Sequence, residues 1–219
     1  MTVLFAQHWD VIPGMFEGYG DFVSREYNST LETLGIKLLG GYYVAVGEGP
    51  RIIAVGTVDE QDYLRKILST DDYRTISGKL HGYVCNYCSR LWASSGRVTE
   101  GPYKIQMGAW KFNQYYNIIP GKEDEHYTFV KEECIPAMKE FNVPITGGWR
   151  LVIGSGPTTL AECTGRKLED IAKAIDTSVF RRLVRRLKKY YATDYNSKIL
   201  APTGRIEVPS MVSEMMKGF

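Results

Sequence analysis

The chain has 219 residues, 27 basic and 25 acidic, a net charge of +2 and four cysteines. A balance this near zero gives no general attraction to nucleic acid or an anionic membrane, and the longest uncharged stretch, Leu151 to Ala161, is too short to span a bilayer. The segment Met1–Asp10 has no basic stretch leading into an apolar one, so no secretory leader is expected in it, and the cysteines are expected as thiols of a cytoplasmic protein.

In chain order, Val3 to Ile12 is apolar, aromatic and β-prone, and stops at Pro13-Gly14: a first strand. Phe16, Tyr19, Val23, Tyr27, Leu31 and Leu34 then recur at helical spacing. Gly40 to Val46 reads as a second strand and Gly47-Glu-Gly-Pro50 as a turn that uses the positive φ open to glycine. Ile52 to Val58 is a third strand. Leu64, Ile67 and Leu68, then Tyr73, Ile76 and Leu80, mark a helical region broken at Ser69–Asp72, where N-capping residues gather. A fourth strand is expected over 86–95.

The same order then repeats. Gln7–Gly14 reappears as Gln114–Gly121, an offset of 107, and the register holds through Phe22/Phe129, Gly40/Gly147, Gly47/Gly154, Pro50/Pro157 and Arg74/Arg181. A one-residue insertion then aligns Tyr87/Tyr195, Arg90/Lys198 and Gly96/Gly204. The second copy gives strands over 105–119, 147–153, 159–164 and 195–201. Its first helix contains Pro136, which should kink or restart it. The chain is therefore expected as residues 1–100 and 101–206, each a βαββαβ unit, with a linker near Thr99–Pro102 and a Met-rich tail over 207–219. This is the α+β class: two tandem ferredoxin-like units packed sheet to sheet as an α/β-barrel. Both faces of the first strand look apolar, so both should be covered.

The chemistry-bearing residues are few. His8 and Asp10 share one face of a strand, and could act as a general base and its orienting partner, or as a hydrogen-bond cluster at the rim of a barrel. Only the first copy has this pair, because Tyr115 and Asn117 replace it in the second. Trp9, Tyr42, Trp92, Tyr115, Tyr116 and Trp149 fall on strands and could wall a pocket for a small apolar or aromatic molecule between sheet and helices; a packed aromatic core is the plainer reading. His81, Cys85 and Cys88 share one face if the helix runs to 88, whereas the two thiols oppose each other if a regular strand starts near 85; no metal site is expected. Arg181–Lys189 holds six basic residues in nine, read as a solvated helix face rather than a nucleic-acid site.

Tyr116-Asn-Ile-Ile-Pro-Gly-Lys122, Gly148-Trp149, Ile153-Gly154 and Asp194–Thr203 together resemble the NIPSNAP-type members of the dimeric α/β-barrel superfamily. The resemblance covers most of 103–206 and, more weakly, 3–98. Phe112 and Gln114 stand where that family usually carries Glu and Arg, so no charge-based role of that strand carries over. The resemblance implies the barrel fold but little about chemistry, since the superfamily's members include cofactor-free oxygenases, isomerases, haem enzymes and binding proteins; with the residues above, three readings stay open. The first is a small-organic-ligand site with cofactor-independent oxygenase or isomerase chemistry at His8 and Asp10. The second is a non-catalytic binding protein that assembles as a homo-oligomer through exposed strand edges. The third is a haem protein, for which His8, His81 and His126 are the available axial ligands. No cofactor is otherwise expected.

Overall fold

A computed structural model describes residues 3–98 and 108–203. The linker over 99–102 and the Met-rich tail lie outside the described residues. The first unit runs β1 (Val3–Val11), α1 (Phe16–Phe22), a π-helical turn (Val23–Tyr27), α2 (Asn28–Thr33), β2 (Lys37–Val46), β3 (Ile52–Val58), α3 (Gln61–Leu68), α4 (Asp71–His81) and β4 (Val84–Ser94). The second repeats it as β5 (Trp110–Ile118), α5 (Glu123–Phe129), a π turn (Val130–Cys134), α6 (Ile135–Glu140), β6 (Ile145–Ile153), β7 (Thr159–Gly165), α7 (Leu168–Asp176), α8 (Ser178–Tyr190) and β8 (Ala192–Pro202).

The break between the paired helices falls where the capping residues predict it. Thr70 accepts from the Tyr73 amide at 3.2 Å and Thr177 from the Phe180 amide at 3.0 Å. Pro136 sits at the start of α6, directly after a π turn in a continuous run of helical backbone. The π turn before it is not its doing, because the first unit has the same π turn with Ser29 at the matching position.

All strand pairs are antiparallel, and the ring order is β1-β3-β2-β8-β5-β7-β6-β4, closed by β4 on β1. Each unit supplies a four-stranded sheet, and the pairs β2·β8 and β4·β6 join the two. Every one of these strands has two neighbours. Among the described strands the expected exposed edges are therefore not found: pairing between the units has used them up.

Strand alternation divides the core. One row of β1, Val3, Phe5, Trp9 and Val11, packs under the helices with Tyr19, Tyr27, Leu64 and Leu80. The other, Leu4 and Ala6, points into the barrel with Tyr42, Ile53, Trp92, Tyr115, Trp149 and Leu200. This double burial explains why the strand sequences read as apolar throughout. On α8 Phe180, Leu183 and Leu187 are buried, and the basic residues form an outer face where Arg186 pairs with Glu133.

Candidate functional site: the barrel lumen

The outward row of β1 and β5 is structural. Trp9 is fully buried, its indole N–H donates to the Tyr19 hydroxyl at 3.0 Å, and its ring stacks on Tyr87. In the second unit the matching residues are Tyr116 and His126, joined at 3.0 Å between hydroxyl and Nε2. Both members of the pair have changed and the bond has been kept. Burial, and then the charge of Arg97, lowers the His126 pKa to about 4, so this histidine is neutral. Trp9 and Tyr116 are therefore buried against aromatic partners among the described residues, in the positions expected to wall a pocket between sheet and helices.

Asp10 does not orient His8. An extra residue in β4 at Asn86, with φ of +53°, shifts the register between His8 and Asp10. Asp10 Oδ1 accepts from the Arg51 amide at 2.7 Å, and Oδ2 accepts from Asn86 Nδ2 at 2.9 Å. Asn117 performs the same task in the second unit, taking the Thr158 amide at 2.8 Å and donating to Asp194 at 2.8 Å. The acid and the amide have exchanged places, which identifies Asp10 as half of a clip between the β2–β3 turn and the β4 bulge.

The inward row gathers the other candidates. His8, Tyr42, Trp92 and Tyr115 line a cavity of about 20 Å³ together with Lys111, Asn113 and Glu162, and Trp149 is buried in the same lumen cluster. The volume is that of about one water. Lys111 Nζ lies 2.8 Å from Glu162 Oε2, with both side chains only 4% exposed, and 4.6 Å from the Tyr42 ring centre. Asn113 donates to the Tyr115 hydroxyl at 3.2 Å, and its buried Oδ1 has no partner among the described residues. Desolvation lowers the His8 pKa to about 3, reinforced by the charges of Arg90 and Lys198, so the imidazole is neutral.

Lys111, Asn113 and Glu162 were missed in the sequence. Their signal lay in the duplication, since they occupy the places of Leu4, Ala6 and Val55: polar groups on the inward rows of one unit only.

The His81–Cys85–Cys88 group is divided. His81 packs edge-on against Tyr87, 4.8 Å between ring centres, on the helix side. The Asn86 bulge sets Cys85 opposite Asp10 and Cys88 opposite His8, so the thiols do not alternate as in a regular strand. Among the described residues no group of three His, Cys, Asp or Glu is placed to hold a metal ion. A haem does not fit the histidines as they stand. His126 is tied to Tyr116, His81 is exposed at a helix end, and His8 faces a cavity far too small for a porphyrin.

No protein-family model and no curated protein matches the sequence. Solved structures do match. A mutant chlorite dismutase from Candidatus Nitrospira defluvii is 10% identical, with 99% of this chain and 94% of that chain covered and a TM-score of 0.63. A protein from Lactobacillus acidophilus NCFM described as a "putative monooxygenase" is 9% identical, with 92% and 93% covered and a TM-score of 0.62. An anthrone oxidase-like protein is 11% identical, with 92% and 91% covered and a TM-score of 0.57. A NIPSNAP family protein from Agrobacterium tumefaciens matches only 43% of this chain, at 14% identity and a TM-score of 0.36, and adds nothing to the reading of the fold. No helix of the described residues is long and apolar enough to cross a membrane. The likeness is one of fold: this chain is a closed, eight-stranded antiparallel α/β-barrel built within one polypeptide from two tandem ferredoxin-like units.

Proposed function

We propose that the protein binds a small organic molecule inside the barrel lumen, with Tyr42, Trp92 and Trp149 as apolar walls and Asn113, Tyr115 and His8 as the polar groups that orient it. The observation that carries this reading is Asn113. Its Oδ1 is buried, without a partner among the described residues, and beside a cavity, and a buried acceptor left unpaired costs about 1–3 kcal/mol unless something donates to it. The cavity at rest suits a water, so an organic ligand requires the lumen side chains to move apart. The four cysteines are free, in keeping with the cytoplasmic setting proposed for it.

The test is a small-molecule screen by lumen tryptophan fluorescence, with native mass spectrometry of the purified protein for a retained ligand. Asn113→Leu keeps a branched side chain and removes the acceptor together with the N–H that donates to Tyr115. It is expected to weaken binding by about tenfold, the worth of one hydrogen bond. A ligand bound equally well by the variant would remove the lumen reading.

Oxygenase or isomerase chemistry on such a ligand is the catalytic alternative, suggested by the similar structures described as monooxygenase and anthrone oxidase-like. His8 would be its base. Burial and two nearby cations oppose the imidazolium that a base must become, so the geometry favours binding over catalysis. Oxygen uptake with a bound ligand, abolished by His8→Ala, would reverse that preference.

A further inference from the structure

Arg90 and Lys198 occupy matching positions of the two units. Their strands, β4 and β8, are four places apart in the ring of eight, directly across the barrel. Arg90 pairs with Ala6 and Lys198 with Asn113, both of them on inward rows. The two cations therefore stand on inward rows of opposite walls, with His8 on β1 beside Arg90 and Tyr115 on β5 beside Lys198. The inward rows diverge at most other positions, with Leu4 against Lys111 and Val55 against Glu162, yet each unit has a cation here.

Neither cation forms an ion pair among the described residues, and Arg90 Nε is buried without a partner. The buried carboxylate of the lumen, Glu162, is held by Lys111. Glu48, on the turn above, is exposed; it favours the charged form of Lys198 from beyond ion-pair distance. Lys198 Nζ stands 5.9 Å from the Tyr115 ring centre, and a ring face compensates only part of a buried charge.

The two glycine turns lie over these side chains. A Cβ on Gly49 would stand 3.3 Å from Lys198 Nζ, and one on Gly156 would stand 3.3 Å from Arg90 Nη2. A Cβ on Gly47 or Gly154 would stand 2.9 Å and 3.0 Å from the Cγ atoms of Lys198 and Arg90 respectively. Each Gly-x-Gly-Pro turn thus closes over the cation contributed by the other unit.

We propose that this end of the barrel is an oxoanion site, in which a carboxylate or phosphate group bridges Arg90 and Lys198, with neutral His8 and the Tyr115 hydroxyl as flanking hydrogen-bond partners. An anion between two facing cations turns a repulsion into two charge-assisted bonds. The inference rests on the lumen-binding reading in one respect: it names the ligand, or one end of it, as anionic.

Calorimetric titration of the full chain with inorganic phosphate and, separately, with benzoate, at constant ionic strength against chloride, tests it. Saturable binding of one or both is expected, and the stronger anion identifies the source as phosphate or carboxylate. Arg90→Gln and Lys198→Gln should each weaken that binding by about tenfold or more, as loss of a hydrogen bond to a charged group does. Arg90→Lys, which keeps the charge, should hold it within a few-fold and guards against a variant that merely misfolds. No saturable binding of either anion, or equal binding by both Gln variants, overturns the proposal. Anion binding lost in Arg90→Gln but untouched in Asn113→Leu would keep the oxoanion site and discard the organic lumen ligand. Organic binding indifferent to Arg90 and Lys198 would do the opposite.

Discussion

At the scale of single residues the lumen holds an ion pair that the fold itself does not require. Lys111 and Glu162 replace Leu4 and Val55 of the first unit, so the same barrel position is filled once by apolar and once by charged groups. Desolvating two charges consumes most of what their attraction returns, whereas a lone buried charge is left uncompensated. Glu162→Gln should therefore destabilise the protein by about 3–5 kcal/mol, while the double variant Lys111→Leu/Glu162→Val should lie within ~1–2 kcal/mol of the parent. Urea unfolding of the three proteins checks this, and a double variant no better than the single one would contradict it. The histidines make a second prediction. His8 titrates near 3 and His126 near 4 in the native state, both below the unfolded value near 6.5. Between these limits the unfolded chain takes up protons that the native chain refuses. The stability they contribute is complete above about pH 6.5 and falls as pH drops towards the native values, by ~2 kcal/mol per histidine at pH 5. His8→Gln should lose less stability than the parent between pH 7 and pH 5; parallel losses would mean that His8 titrates normally.

At the scale of elements, the clips at the end of the barrel give the clearest test of the duplication as structure. Asp10 with Asn86, and Asn117 with Asp194, tie a hairpin turn to a bulged strand with acid and amide in opposite order. Asn86→Asp alone would bring two carboxylates together and should cost about 1–3 kcal/mol, as a lost charge-assisted bond does. Adding Asp10→Asn rebuilds the arrangement of the second unit and should recover most of that loss. Thermal melts of the three proteins measure it, and additive losses in the double variant would show that the clip is not exchangeable. The elements themselves were legible because each helix and strand carries its own period, and because each break has a local cause, such as the Thr70 and Thr177 caps. The π turns were not legible: both fall inside an uninterrupted helical pattern, and no residue announces the extra backbone position. The bulges at Asn86 and Asp194 were equally silent. Their cost is a positive φ that asparagine and aspartate tolerate, and their effect, setting Cys85 opposite Asp10 and out of regular alternation with Cys88, shows only in the register.

At the scale of the molecule, pseudo-symmetry explains both what the sequence disclosed about the site and what it hid. His8, Tyr42, Trp92, Tyr115 and Trp149 converge in the lumen because alternation fixes which face each strand residue takes. Trp9 and Tyr116 look identical to them in composition and lie one residue away, on the opposite face. Which face carries a cavity depends on what the other unit presents, and no local pattern records that. Lys198 and Arg90 show the same limit: each reads as an ordinary strand cation until the ring order sets β4 across from β8. The same interdependence governs folding. Residues 1–100 alone would expose the lumen row of Leu4, Ala6, Ile53, Val55 and Trp92, together with two unpaired edges, β2 and β4, that the second unit normally covers. Exposed apolar strand edges recruit other strands. The fragment is therefore expected to self-associate, and pairing of two copies through β2 and β4 would rebuild a barrel with Arg90 facing Arg90. Sedimentation velocity on the fragment should show a dimer or larger species, and adding the 101–219 fragment should convert it to a one-to-one complex. A folded, monomeric 1–100 fragment would mean that each unit is self-sufficient and that the lumen is an interface between independent domains.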